Sequence, residues 1–297
     1  MVLPDMSAWR TGLTMLAVVV VGLALGLTAC DNHQRGNSAG GGLAGVRASG
    51  VLRWGGDQQG GEPFVFQDPA RPAALTGFEV EIADAIAAQL GVRAHFVQND
   101  WSNLVPSLER KTFDMAMNGL EVTPARAGRV LFSRPYYLFA ERLVARANDA
   151  TVVDLASLRG RRVGTLANSQ AWDMLLASGS IAVPYEGVEE PFIDLEHGRT
   201  DAVLLDDIIV DRYAGRHPGL RVVGDIADGR YAIAFRRDDA PLRDAVDTAL
   251  ALLVTTGQLQ RIFQRYHLDN PRQAALAVAG PTTSLTEAGA TAAGATG

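Results

Sequence analysis

From Val51 onward, short apolar runs alternate with stretches whose apolar positions recur every three or four residues. "VLRWGG" (51–56) predicts a strand stopped by glycines. In "FEVEIADAIAAQL" (78–90), Phe78, Ile82, Ala85, Ile86 and Leu90 fall on one helical face, and Gly91 follows as a C-cap. Residues 93–98 alternate like a strand, and Ser102 is placed to cap a short helix through Leu108. Pro106 lies early enough in that helix to be tolerated. Asp114 to Met117 predicts the next strand, and Thr123–Pro124 a helix start, with a hydroxyl cap and proline at the first helical position.

The pattern begins again after Leu155, with strands near 161–165, 181–185 and 201–206 and helices at 170–177, 190–197 and 207–214. A strand near 220–223 follows, then "YAIAFRR" and two final helices, 241–255 and 258–266. Strands alternating with helices predict sheets with parallel strands. Two rounds without a sequence repeat predict two α/β lobes. In such sheets ligands sit beyond the carboxyl ends of the strands.

Composition narrows the picture. The chain has 297 residues, 47% hydrophobic and 20% charged, with a formal charge of −6. Mild acidity argues against nucleic acid, which needs a basic face. Lys111 is the only lysine. His33, His95, His197, His217 and His267 are scattered, and no nucleophile elbow, Walker motif or clustered metal ligands stand out. No cofactor or metal is expected.

The ends read differently. Thr11 to Cys30 carries no charge and follows Arg10, which predicts an export signal over residues 1–29, with an uncleaved membrane span as the alternative. The only cysteine, Cys30, closes "LTAC", which resembles a bacterial lipobox and marks Cys30 as the lipidation site. A lipid-anchored tether is expected over 30–46, where "DNHQRGNSAGGGLAG" is too polar to offset its ordering entropy. The Ala-, Gly- and Thr-rich 271–297 is expected to be a disordered tail.

Several polar residues fall at strand ends: Asp57, then Asn118, Gly119 and Glu121, then Asn168 and Ser169, then Asp206 and Asp207. Each has a plain structural role available. Asp57 can close a turn, Ser169 or Asn168 can cap a helix, and Asp206 or Asp207 can cap the next one. Arg126 fits such a role least. A cation in the first turn of a helix opposes the helix dipole, whereas against a ligand carboxylate a guanidinium forms a bidentate, charge-assisted pair.

In order along the chain, "LTGFEVEIADAIAAQLGV", "DWSNLVPSLERKTFDMAMNGLEVTPARAGRVLFSRPYY", "LEHGRTDAVLLDD" and "GQLQRIFQRY" resemble the bacterial extracellular solute-binding proteins of polar amino-acid uptake transporters, family 3 type. The resemblance runs from about Val51 to Tyr266. It implies a two-lobed periplasmic-binding fold of type II, hinged on two crossing strands, with lobe 1 at 47–142 plus 232–270 and lobe 2 at 143–231. It implies an extracytoplasmic, monomeric protein that closes over an amino-acid-like molecule and delivers it to the permease of an ABC importer.

On this sequence the resemblance implies that Arg126 holds an α-carboxylate with help from backbone near Ser169, and that Asp206 holds an α-ammonium. Gly119 would offer backbone groups, Asp57 would shape the first-lobe side, and Trp101 lies where a large residue often borders the cleft. Two departures stand out. "DQQGGEPF" (57–64) lacks the usual aromatic after the first aspartate, and Glu121 replaces a hydroxyl or small residue. A carboxylate in a closed cleft must be paired or protonated. Glu121 can meet a ligand ammonium, a cationic ligand side chain, or Arg126 itself. The rival readings are an enzyme on the same fold, of dehydratase or lytic transglycosylase type with Glu121 as general acid, and a ligand sensor for a membrane receptor.

Overall fold

A computed structural model describes residues 42–279; the expected signal, Cys30, tether residues up to 41 and tail residues beyond 279 lie outside the described residues. Helices are α1 (Leu43–Ser49), α2 (Phe78–Leu90), α3 (Leu104–Glu109), α4 (Pro124–Ala127), α5 (Gln170–Ser178), α6 (Glu190–Glu196), α7 (Asp207–Tyr213), α8 (Ala240–Thr255) and α9 (Gln258–Arg265). Strands are β1 (Val51–Gly56), β2 (Phe66–Asp68), β3 (Arg71–Thr76), β4 (Arg93–Gln98), β5 (Met115–Ala116), β6 (Leu131–Arg146), β7 (Arg162–Leu166), β8 (Ile181–Tyr185), β9 (Ala202–Asp206) and β10 (Leu220–Phe235). No described helix is long and apolar enough to cross a membrane.

Eight strands form one sheet in the order β4-β1-β5-β10-β6-β9-β7-β8. Two halves are legible in it. β4, β1 and β5 are mutually parallel in the first lobe, and β9, β7 and β8 in the second. The two sixteen-residue strands β6 and β10 join them, running antiparallel along their length. This is the expected two-lobed fold with two crossing strands.

The predicted period is realised in α2, which buries Phe78, Ile82 and Ile86 and ends at Gly91 in the left-handed region. It packs with α8 and α9 to cover one face of the first-lobe sheet, Leu242, Val246, Leu250, Ile262 and Phe263 joining its core. A second cluster under α3, with Leu104, Leu108, Phe113 and Phe132, covers the other face. In the second lobe Leu143, Val163, Leu175 and Leu204 form the core beneath α5.

Four expectations are corrected. The tether does not extend to residue 46, because α1 begins at Leu43 and Val46 is buried in the first-lobe core. Residues after Pro271 are ordered to 279. Pro271–Ala277 forms a 3-10 turn with Leu276 buried, and Gln273 bonds both backbone groups of Leu138, accepting from its N–H (3.0 Å) and donating to its carbonyl (2.7 Å). A run rich in Ala is enough when side chains such as these find a strand to dock on. The helix expected from Ser102 starts at Leu104, after a 3-10 turn at Trp101–Asn103. The strand expected at 220–223 runs on to Phe235: "GDIADGR" looks like a loop, but register shifts after Val222 and Asp225 absorb its polar residues without breaking the ladder to β6. Sequence reading also missed the β2–β3 hairpin.

Candidate binding cleft

The carboxyl ends of β1, β5, β7 and β9 converge where β6 and β10 cross. A small cavity there, about 30 Å3, is lined by Gly60, Phe64, Trp101, Asn118, Gly119, Glu121, Leu166, Glu186, Val188, Asp206, Ile209 and Tyr231. That is room for roughly one water, so the cleft is closed almost to contact. Larger hollows exist, one of about 610 Å3 beside α9, but its walls bring no buried charged group together.

The first-lobe wall is a satisfied polar network. Asp57 ends β1, and its carboxylate accepts from Gln59 N (2.9 Å), Gln98 Nε2 (2.9 Å) and Trp101 N (3.1 Å). Asn118 accepts from Asp57 N (3.0 Å) and, through its carbonyl, from Trp101 Nε1 (2.8 Å). Its Nδ2 reaches Glu79 Oε2 at 3.4 Å. Gly119 sits at φ +56°, where a Cβ would lie 2.9 Å from the Phe64 ring, and its N–H is spent on Glu79 Oε1 (2.7 Å). Tyr136 donates to the same oxygen at 2.5 Å. Glu79 is fully enclosed, and burial pushes its carboxyl up to about 7 despite these donors.

The acids around Asp206 are less well answered. Glu141 on β6 pairs in register with Asp206 on β9, which puts two acids side by side on one ladder. Glu121 forms an isolated bridge to Tyr231 on β10. One oxygen from each of Glu121, Glu141 and Asp206 lies within 4.8 Å of the others, and all three residues are buried. Tyr231 donates to Asp206. Neither oxygen of Glu141 has a hydrogen-bond partner among the described residues. Burial, then the neighbouring Asp206 and Glu121, hold the Glu141 carboxyl well above its usual range. Burial and Glu121 do the same to Asp206, against the opposing Tyr231 hydrogen bond. Asp207, next along the chain, is pushed up to about 6 by burial, with Arg142 opposing.

Glu121 is held between the lobes. Its Oε2 accepts from Arg126 Nη1 (2.7 Å) and from Gln170 N (3.1 Å), the first turn of α5. Arg126 also donates to the Glu121 carbonyl (3.0 Å) and, through Nη2, to the carbonyl of Asn168 (2.8 Å). Its guanidinium stacks over Trp101, 4.8 Å from the ring centroid. Asn168 adopts φ +60°, and Ser169 caps α5 by accepting from Trp172 N (3.0 Å). Burial raises the Glu121 carboxyl, and Arg126 offsets part of that rise.

Of the residues singled out from sequence, Trp101, Asn118, Gly119, Glu121 and Asp206 line the cavity. Arg126 and Asn168 border an outer crevice of about 310 Å3 with Trp172 and Asp173. Asp57 and Ser169 stand behind the walls and support them. Sequence reading missed Glu79, Glu141 and Tyr231. The last two sit mid-strand, where only the register reveals them. Chemically, the three carboxyl groups suit a cation. Oxygen donors so close would accept a hard divalent ion. The aromatic and aliphatic lining of Phe64, Trp101, Tyr231, Leu166, Val188 and Ile209 instead suits an organic cation with a carbon frame.

Two lobes closing on a buried polar cleft define a solute-binding protein. The chain belongs to the bacterial extracellular solute-binding proteins, family 3, whose family model matches residues 52–269. Among its relatives, ABC transporter arginine-binding protein 1 of Escherichia coli (strain K12) is 28% identical over 65% of this chain and 82% of that protein. L-cystine-binding protein TcyJ of the same strain is 30% identical over 69% of this chain and 78% of its own length. Among solved structures, the P235GK mutant of ArgBP from T. maritima aligns with a TM-score of 0.70 at 26% identity, covering 76% of this chain and 98% of that one. The ancestral amino acid-binding protein AncCDT-1, a precursor of cyclohexadienyl dehydratase, aligns with a TM-score of 0.69 at 26% identity, over 75% of this chain and 98% of that one.

Proposed function

We propose that this protein captures an amino-acid-like solute bearing a cationic group and presents it to an ABC importer. The observation that carries the reading is the cluster of Glu121, Glu141 and Asp206, three enclosed carboxyl groups within 4.8 Å. Removing them from water without a counter-charge is costly. A solute ammonium or guanidinium supplies the missing charge, with Asp206 as the principal contact. Names among the relatives that specify arginine support this class.

Closure is the mechanism. Glu121 and Arg126 ride on the first lobe and Asp206 on the second, so a solute between them gains contacts in the closed state that the open state lacks. Only that difference shifts the equilibrium. A tether lipidated at Cys30, on the periplasmic face of a membrane, would keep the loaded protein near its permease at high effective concentration. The protein acts as a monomer, with a first lobe that includes α1 from Leu43 and the docked turn after Pro271, and a second lobe at about 143–231.

Capture without turnover is the reading. Glu121, the candidate general acid, is clamped by Arg126 and the Gln170 N–H. A thermal-shift screen against the common amino acids and linear polyamines tests capture, with stabilisation expected from cationic members. Stabilisation by acidic or neutral members alone would reject the cation site. Mass spectrometry of the best ligand after incubation tests turnover; a new product would reject a pure binding role.

A further inference from the structure

The donors that would hold a solute carboxylate are already engaged. A carboxylate seat at this cleft needs the Arg126 guanidinium and the free N–H groups at the start of α5. Glu121 Oε2 takes Arg126 Nη1 at 2.7 Å and Gln170 N at 3.1 Å, and the Asn168 carbonyl takes Nη2 at 2.8 Å. The Glu121 side chain is 2% exposed, and that of Arg126 12%. The chain thus carries its own carboxylate where a solute's would go.

We propose that Glu121 is a built-in surrogate for the solute carboxylate, and that the preferred solutes are organic amines or guanidines without one. The proposal rests on the cation-capture reading above and sharpens its substrate class. A solute carboxylate would have to displace Glu121 from Arg126. That exchange trades one charge-assisted pair for another, so the pair itself yields no gain. The displaced Glu121 then has two places to go. It can stay in the cleft beside Asp206 and Glu141, whose oxygens lie within 4.8 Å of its own, with Arg126 now engaged by the solute and no longer offsetting its charge. Or it can leave for the outer crevice, where Asp173 adds a further negative charge. Both cost free energy that an amine does not incur. An amine meets Asp206 in the cavity wall, with Glu141 beside it, whose two oxygens have no hydrogen-bond partner among the described residues, and leaves the Glu121–Arg126 pair bridging the lobes.

The test is calorimetry on pairs that differ only by a carboxylate: agmatine against L-arginine, and cadaverine against L-lysine. The amine of each pair is expected to bind at least tenfold more tightly. Glu121→Ser vacates the seat and is expected to narrow or invert that ratio, and Glu121→Gln to narrow it less. Tighter binding of the amino acid than of its amine by the unmodified protein would overturn the proposal while leaving cation capture intact. Failure of all four compounds to bind would overturn both. Should the variants not fold, the ratio in the unmodified protein decides by itself.

Discussion

Asp57 and Asp206 occupy matching places, each at the carboxyl end of a strand and each beside the same cleft, yet they do opposite things. Three N–H donors converge on Asp57, so its charge is already answered within the first lobe. Asp206 has one hydroxyl partner and faces two other acids. Buried polar groups are ordinarily hydrogen-bonded, and beside Asp206 both oxygens of Glu141 have no partner among the described residues. On the proposed reading the first-lobe network holds shape, while the cluster around Asp206 receives the positive guest.

The sharpest way to break this contrast is Asp206→Ala, which should weaken capture of a cationic solute at least a hundredfold in calorimetry. Truncating one member of a buried charged pair typically costs about 2–5 kcal/mol of binding. Unchanged affinity would move the cation site elsewhere.

Next in size is a pH effect on stability centred on Glu79. Its folded-state pKa of about 7 lies above the unfolded value of about 4.5, so the folded protein binds the extra proton between them. Stability is then greatest at the acid side of that window and falls as pH rises through about 7, by roughly 3 kcal/mol. Urea melts of Glu79→Gln should be flatter over this range than those of the unmodified protein, and equal slopes would refute the assignment.

Asp57→Ala should cost about 2 kcal/mol of stability, because it strands three N–H groups around Trp101, while leaving the order of solute preferences unchanged. A changed order would make Asp57 a contact rather than a support. The smallest effect concerns Glu141. Its raised carboxyl must give up a proton to meet a cation, so affinity should fall as pH drops, by no more than about tenfold per unit. Glu141→Gln should reduce that slope in calorimetry over a pH series; an unaltered slope would assign the proton to another group.

How far these contrasts were legible in the sequence depends on what each residue's signal was. The helix of Phe78 to Leu90 follows from its 3.6-residue period, and Asp57 and Asp206 follow from their places at strand ends. Glu121 was legible as a departure from the family pattern, with Arg126 among its candidate partners, though not as a bridge to Gln170. Glu141 was not legible as part of the cleft. It lies inside an apolar strand, and only the pairing of β6 with β9 sets it opposite Asp206. The same holds for the run 224–230, whose glycines and aspartates resemble a turn until the irregular ladder with β6 is known.

The docked turn at Pro271–Ala277 has a consequence for the motion itself. Gln273 clips onto Leu138, and Arg272 reaches Asp225 and Asp228, so this turn grips both crossing strands from outside, like a splint across a flexing joint. A polypeptide ending at Asn270 would keep its solute contacts yet swing through a wider arc. On the closure mechanism proposed above, this splint would limit how far the molecule opens, and its gape could be retuned with nothing in the cleft changed.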